Sequence, residues 1–230
     1  MLASPQYTPE SNGKPLVFVV DDDISVRESL ELLIRHAGWT PKIFGSAQAF
    51  LAHPPVSAPR CLVLDVTLPD LNGLDLQKRL AIDQLCMPII FITGYGDVRM
   101  TVQAMKAGAF DFLTKPFADG ALLNAIQSAI DRSQATLREE ATLKTLSECY
   151  AALSPREREV MALIVSGLLN KQVGDKLGIS VITVKAHRGS LMRKMMADSL
   201  ADLVKMDARL RSAPRRKADA PSTIGALVTE

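Results

Sequence analysis

The stretch VVDDDISVRESL at residues 19–30 runs from an apolar segment into three consecutive aspartates and then directly into a helical pattern. Upstream, LVFVV at 16–20 reads as a buried strand. Downstream, Val26, Leu30, Leu33, Ile34 and Ala37 fall on one helical face, which stops at Gly38. Strand, acids and helix in immediate succession define a β–α unit with concentrated negative charge at the strand end. Like charges placed side by side repel, so the three acids need either a neutralising partner or separate tasks.

The unit repeats along the chain. TPKIF, CLVLDV, PIIFIT and DFLTK are further short apolar runs, each followed by a helical pattern. The patterns comprise a short helix opened by Ser46, one after Gly73, one from 97 to 107 and one from about Ala118. Five such units predict a doubly wound α/β domain over 15–132. Runs that are apolar on both faces predict a parallel sheet. Right-handed crossovers in such a sheet gather functional groups at the carboxyl ends of the strands.

The last of these helices is expected to continue through a linker at 133–148; along the helix Ile126, Ile130, Leu137, Leu143 and Leu146 make a poor heptad. Residues 149–212 read as a separate all-α unit of four helices. The first is opened by a capping box of Ser154, Pro155 and Glu157 and closed by Gly167. The second takes Asn170 as its cap and Gly178 as its stop, the third is capped by Ser180, and SLADLVKMDARL forms the fourth. Residues 1–14 and 213–230 are Pro-, Ala- and Ser-rich and are expected to be disordered.

The bulk composition is that of an ordinary globular protein, 47% apolar and 23% charged with mean hydropathy +0.12. There is neither a run long enough for a membrane span nor an N-terminal apolar segment of signal-peptide type, which points to the cytoplasm. Cys61, Cys86 and Cys149 have neither metal-ligand nor disulfide spacing, as suits a reducing compartment. The net charge of +2 conceals a division. Residues 1–135 carry 11 Lys and Arg against 14 Asp and Glu, whereas 136–230 carry 16 against 11. Within 168–217 the basic excess is 12 to 4, which predicts different partners for the two halves.

The expected strand ends hold Asp21–Asp23, Asp65, Thr93 and Lys115. Taken singly, adjacent aspartates commonly cap a helix, Lys-Pro marks a turn and Thr-Gly a loop. At the ends of strands 1, 3, 4 and 5 of one sheet they form a set. Clustered carboxylates suit Mg²⁺, a hard cation that prefers oxygen donors. An Asp among them is a plausible phosphoryl acceptor, with Mg²⁺, the Lys ammonium and the Thr hydroxyl each taking a phosphate oxygen. A dinucleotide-binding domain is the competing α/β reading. It fails because the first β–α turn carries acids where a glycine-rich phosphate cradle is required.

VVDDDISVRESL, LVLDVTLPDLNGLDL, FITGYGD and AGAFDFLTKPF resemble the receiver domain of two-component response regulators over about 16–132. The resemblance implies a sheet of order 2-1-3-4-5 and transfer of a phosphoryl group from a sensor histidine kinase to Asp65. It further implies that Thr93 and Lys115 contact the phosphate, that Phe112 is the rotating switch aromatic working with Thr93, and that Lys115-Pro116 is cis. The family pattern Asp-Asp-x-x-x-apolar-Arg aligns only Asp21-Asp22 with Val26-Arg27. Asp22 is therefore expected to bind Mg²⁺ directly and Asp21 through water, with Asp65 and the Thr67 carbonyl as further ligands. Asp23 falls outside the ligand set and is expected to start the following helix, where negative charge is favourable. The side chain of Thr67 lies where the family varies, at a position that influences phosphate lifetime.

In the basic half, NKQVGDKLGIS and SVITVKAHRGSLMRKM have helix–turn–helix spacing, with Gly178 in the turn and the motif at about 168–187. Val184, Leu191 and Met195 mark the core face of the second helix, with His187 or Arg188 near its edge. Ile182, Lys185, Ala186 and Gly189 lie broadly opposite, where small residues allow close approach to base edges in a major groove. Lys171, Arg188, Arg193 and Lys194 are candidates for phosphate contacts. A solvated basic face on an ordinary bundle is the alternative. The region resembles the LuxR-type helix–turn–helix over 149–212, and the whole chain the NarL/FixJ class, closest to the FixJ branch. The expected DNA interface is Lys171, Thr183, Lys185, Ala186, Arg188, Gly189 and Arg193. The resemblance pairs Lys194 with Glu157 inside the domain, and Gly174 stands where the family usually has Ala.

The chain is thus expected to be a cytoplasmic DNA-binding regulator and not an enzyme beyond its own phosphotransfer and dephosphorylation. Phosphorylation would drive a homodimer onto an inverted repeat in double-stranded DNA, with RNA polymerase as a further partner and no role for the membrane. A DNA-binding protein whose receiver is held active by partner or small-molecule contacts, without phosphorylation, is opposed by the intact acid, Thr and Lys set. A Mg²⁺-dependent phosphatase or phosphotransferase shares the carboxylates but leaves the basic half unused.

Overall fold

A computed structural model describes residues 14–54, 56–82, 87–94 and 98–212. Cys86, Asp97 and the two chain ends expected to be disordered (save Lys14) lie outside these residues. Two compact units meet in sequence at 139/140.

The first unit is a five-stranded parallel sheet of order β2-β1-β3-β4-β5. Its strands are β1 (Leu16–Val20), β2 (Thr40–Phe44), β3 (Arg60–Asp65), β4 (Ile89–Thr93) and β5 (Asp111–Thr114). The flanking helices are α1 (Ile24–His36), α2 (Ala47–Leu51), α3 (Gly73–Ile82), α4 (Val98–Lys106) and the first part of α5 (Asp119–Ala151), a helix that continues past the 139/140 boundary. Strand side chains alternate between faces, and the apolar runs feed a core on each side. Phe18, Val20, Leu62, Leu64 and Phe91 pack with Phe50, Leu76, Leu80 and Ala104 of α2, α3 and α4. Val17, Val19, Cys61, Val63, Ile90 and Ile92 pack on the opposite face with Leu30 and Ile34 of α1 and with Leu122 and Ile126 of α5. Burial pushes the Cys61 thiol up to about 12, so this cysteine is an inert packing residue.

One local expectation needs correction. Ala37 is exposed and caps the carboxyl end of α1, because Gly38, at φ +90°, turns the chain away before that position can face the sheet. The helix that follows β5 does run on through 133–148, as a single 33-residue element, α5. Buried Ser133 ties its middle to the sheet, the hydroxyl accepting the Arg60 N–H at 3.0 Å.

The second unit contains α6 (Pro155–Val165), α7 (Asn170–Leu177), α8 (Val181–Met195) and α9 (Leu200–Ser212). Val160, Met161, Ile164, Val173, Val184, Leu191, Met195 and Leu203 are its buried centre. The capping box at Ser154 is complete, and Ser180 accepts the Thr183 N–H. Asn170 is not the cap of α7. The helix starts one residue earlier in its geometry, with Leu169 at the cap and the Gln172 side chain accepting the Leu169 N–H at 2.8 Å. Asn170 instead receives a hydrogen bond from Arg188 Nη1 at 3.3 Å. Gly178, at φ +64°, makes the turn between α7 and α8. Gly174 permits that turn to close, since a Cβ there would lie 2.8 Å from the Ile179 carbonyl oxygen.

Candidate functional site

The ends of the parallel strands bring distant residues together. Asp21 follows β1, Asp65 closes β3, Thr93 closes β4 and Lys115 follows β5. Lys115 Nζ donates to Asp21 Oδ2 at 2.7 Å and to Asp65 Oδ2 at 2.6 Å, bridging two acids 44 residues apart in sequence. Carboxylate oxygens of Asp21, Asp22 and Asp65 all lie within 4.8 Å of one another. Asp21 is fully buried, Asp65 is 7% exposed and Asp22 faces solvent. Burial pushes the Asp21 carboxyl above its usual range, although hydrogen bonds from Lys115 and the Asp23 N–H pull the other way. Burial also opposes charge on Lys115, but Asp21 and Asp65 outweigh it and hold the ammonium above its ordinary range. One cation among three acids leaves two carboxylates without a compensating charge, and an all-oxygen donor set of this size suits a small hard cation.

The third aspartate is turned to a different task. Asp23 Oδ1 accepts the Ser25 N–H at 2.8 Å and the Val26 N–H at 3.4 Å, which makes it the N-cap of α1. Thr67 is exposed, and its N–H donates to Asp65 Oδ1 at 2.9 Å. Thr93 is 1% exposed, and its carbonyl accepts the Lys115 N–H at 2.7 Å. The Phe112 ring is half-buried, 6.2 Å from that of Phe91, and the Lys115-Pro116 bond is cis.

Three residues support the site in roles that the sequence reading did not assign. Arg27 Nη1 donates to the Asp21 carbonyl at 2.7 Å, bracing the backbone beneath the acids. Asp70 accepts the Ala47 and Gln48 N–H groups at 3.3 and 2.9 Å, so the segment after Asp65 also opens α2. These contacts hold the Asp70 carboxyl below its usual range, outweighing a contrary burial effect. Gly73 N–H donates to the Val66 carbonyl at 3.0 Å, and a Cβ at this glycine would lie 2.6 Å from the Asp65 carbonyl oxygen. The available signal was the PDLNG sequence shortly after Asp65.

In the second unit, Val184, Leu191 and Met195 of α8 are buried, while Ile182, Lys185, Ala186, Gly189 and Arg193 are exposed. Lys171 is exposed on α7. Arg188 is half-buried and bonded to Asn170, and the Thr183 hydroxyl lies 2.8 Å from that of Ser180, so both already serve the motif internally. Glu157 anchors α8 from α6, accepting Ser190 Oγ at 2.6 Å on one oxygen and Lys194 Nζ at 2.7 Å on the other. Lys194, Ser190 and the Ser154 N–H together hold the Glu157 carboxyl down at about 2. Lys194 is thus an internal partner and is set aside from the DNA-facing candidates.

A doubly wound sheet with acids and a lysine at its strand ends, followed along the chain by a helix–turn–helix with an exposed basic face, defines a response regulator with a DNA-binding output domain. Comparison with known families agrees with this reading. Residues 17–127 match the response regulator receiver domain, and residues 151–207 match the bacterial regulatory proteins of the luxR family. The chain is 50% identical over 201 residues to nodulation protein W of Bradyrhizobium diazoefficiens, covering 87% of this chain and 88% of that protein. It is 42% identical over 193 residues to the transcriptional regulatory protein FixJ of the same species, covering 84% and 94%. Among solved structures it is similar to the response regulator StyR, with TM-score 0.78 and 44% identity over 86% of this chain and 100% of that one. Full-length FixJ from B. japonicum aligns with TM-score 0.52 and 42% identity, covering 86% and 98%.

The chain belongs to the two-component response regulators that join a receiver domain to a LuxR-type helix–turn–helix, the group of FixJ, NodW and TodT. It is a DNA-binding transcription regulator and not a classical enzyme, and membership of the family implies control by phosphorylation. Among the described residues, no helix is long and apolar enough to cross a membrane.

Proposed function

We propose that Asp65 accepts the phosphoryl group from the phosphohistidine of a sensor histidine kinase, and that this switches dimerisation and operator binding. The observation that carries the reading is the bridge from Lys115 Nζ to both Asp65 and Asp21 at 2.6 and 2.7 Å. In the transfer, the histidine N–P bond breaks, an O–P bond forms on an Asp65 carboxylate oxygen, and the imidazole leaves. Bound Mg²⁺ would neutralise charge on the phosphoryl oxygens as they approach the acids. Asp22 would hold it directly and Asp21 through water, with Asp65 and the Thr67 carbonyl completing the protein ligands. Lys115 supplies fixed positive charge at the acceptor, and the Thr93 hydroxyl takes a phosphate oxygen. The same site would catalyse its own dephosphorylation.

The phosphoryl group adds roughly −1.5 to −2 charge at the strand ends. Thr93 and Phe112 are the residues that register it, shifting a two-state surface toward the homodimer. Two copies then bind an inverted repeat, because one short recognition helix reads too few base pairs to specify a genomic site. Lys185, Ala186 and Gly189 of α8 face the bases. Lys171 and Arg193 neutralise phosphates, and Thr183 and Arg188 support the interface from its edge. The setting is cytoplasmic, with RNA polymerase as the downstream partner.

Intact mass after incubation with Mg²⁺ and acetyl phosphate tests the reading. One phosphoryl adduct is expected on the wild type and none on Asp65→Asn. An adduct that survives the substitution would place the acceptor elsewhere.

A further inference from the structure

We infer that Ile182 is a specificity-determining residue that reads the C5-methyl group of a thymine in the major groove. The inference rests on the proposed seating of α8 against DNA and adds the base feature that α8 recognises there.

Ile182 is the second residue of α8 and is 80% exposed, although it is among the most apolar side chains in the chain. Its surroundings distinguish it from a scattered surface hydrophobe. Residues 182, 186, 189 and 193 follow one another at spacings of four, three and four, which places them on one helical stripe. That stripe lies opposite the buried Val184, Leu191 and Met195. Along it stand Ile182, Ala186, Gly189 and Arg193, all exposed. A Cβ at Gly189 would meet nothing within 4 Å, so the middle of the stripe is low and open. The outward face is therefore a shallow saddle with an apolar knob in its first turn and a cation in its last.

A helix of this shape can settle deeply into a groove, and the N-terminal residues of a recognition helix are those that reach base edges. The side chain of Ile182 leans further toward that end, and its β-branching restricts it to few rotamers, which suits recognition by shape. An isoleucine offers no hydrogen bond, so it discriminates only through an apolar surface. Among the four bases, the major-groove edges present one such surface, the thymine methyl. Lys185, exposed in the next turn of the same face, supplies the complementary polar reading.

The test uses the full chain, treated with Mg²⁺ and acetyl phosphate, and a duplex it selects from a randomised library. Each thymine is replaced singly by deoxyuridine, which deletes the methyl and leaves base pairing unchanged. At one thymine per half-site the wild type should lose about fourfold in affinity, the worth of one buried methyl group. Ile182→Ala should bind the thymine and deoxyuridine duplexes equally, and Ile182→Val should restore part of the preference. Wild-type indifference to every replacement would overturn the proposal, as would a thymine preference that persists unchanged in Ile182→Ala. Indifference to deoxyuridine with an intact Lys185 contribution would remove Ile182 alone from the groove. Failure to select any duplex would remove the seating of α8 along with it.

Discussion

Gly73 passes so close to Asp65 that a Cβ added to the glycine would stand 2.6 Å from the Asp65 carbonyl oxygen and 3.0 Å from Val66 Cα. Both obstacles are backbone, which no side-chain rotation relieves. Gly73→Ala should therefore displace the end of β3, with a destabilisation of roughly 1–3 kcal/mol by analogy with overpacking of cores. It should also slow modification by acetyl phosphate. Urea denaturation and timed intact-mass measurements check the two effects, and wild-type values in both would show that the strand end yields easily.

The three adjacent aspartates should separate cleanly in their effects. Asp22→Asn should weaken Mg²⁺ binding severely in titration calorimetry. Asp23→Asn should leave Mg²⁺ binding nearly intact, since the Asp23 carboxylate is engaged with the Ser25 and Val26 N–H groups. Asp23→Ala should cost about 1 kcal/mol of stability through loss of the cap. Equal losses of Mg²⁺ affinity at 22 and 23 would shift the register of the site by one residue.

Acid should loosen the second unit through Glu157. Its carboxyl is held down at about 2 against an ordinary value of 4.5, chiefly by Lys194 and then by Ser190. A carboxyl depressed by folding contributes its full stabilisation above the unfolded value and loses it as pH falls between about 4.5 and 2. The contribution is roughly 2–3 kcal/mol once Lys194, which is 40% exposed, is discounted for screening. Calorimetric melting of Glu157→Gln should show a lower transition at pH 6 and a flatter dependence between pH 4.5 and 3 than the wild type.

Lys185 and Arg193 occupy different parts of the exposed face of α8 and should fail differently. Lys185→Ala should relax discrimination between operator bases by on the order of 1–3 kcal/mol. Arg193→Ala should weaken all sequences about equally and flatten the log–log salt dependence by roughly one. Exchanged behaviour in binding titrations at several salt concentrations would mean that the helix is rolled about its axis relative to this reading.

The second unit has its own core, drawn entirely from positions between Leu146 and Leu210. A fragment spanning 140–212 should fold and bind DNA. If the receiver restrains the output domain, the fragment should bind more tightly than the unphosphorylated full chain in gel shifts. Weaker binding by the fragment would assign the receiver a positive role through dimerisation.

Much of this architecture was legible because local patterns and tertiary structure agree. The strand runs 16–20 and 89–93 are almost wholly buried, and Ser46, Ser154 and Ser180 cap the helices they precede. The gathering of Asp21, Asp65, Thr93 and Lys115 followed from the parallel topology, which aligns strand ends whatever the sequence distance. Contacts between elements were another matter. Asp70 caps a helix more than twenty residues upstream, and nothing in PDLNG names α2 as its target. Arg27 enters the sequence reading only as part of the family pattern, which does not reveal its hydrogen bond to the Asp21 carbonyl. Asn170 looks like a cap by residue type, yet Gln172 takes the cap N–H and leaves Asn170 to Arg188. The constraint on Gly73 depends on how closely a loop returns to a strand, which no periodicity encodes.

Gln77 lies one helical turn beyond Gly73 on α3, 3% exposed, with its amide nitrogen donating to the Ala104 carbonyl of α4 at a long 3.3 Å. Its amide oxygen has no hydrogen-bond partner, and Ala104 is the buried residue of α4 among those described. An unpartnered buried oxygen costs free energy, which the burial of Ala104 with Leu76 and Leu80 around it offsets. The seam between α3 and α4 therefore keeps an unmet capacity for one hydrogen bond inside an otherwise apolar contact.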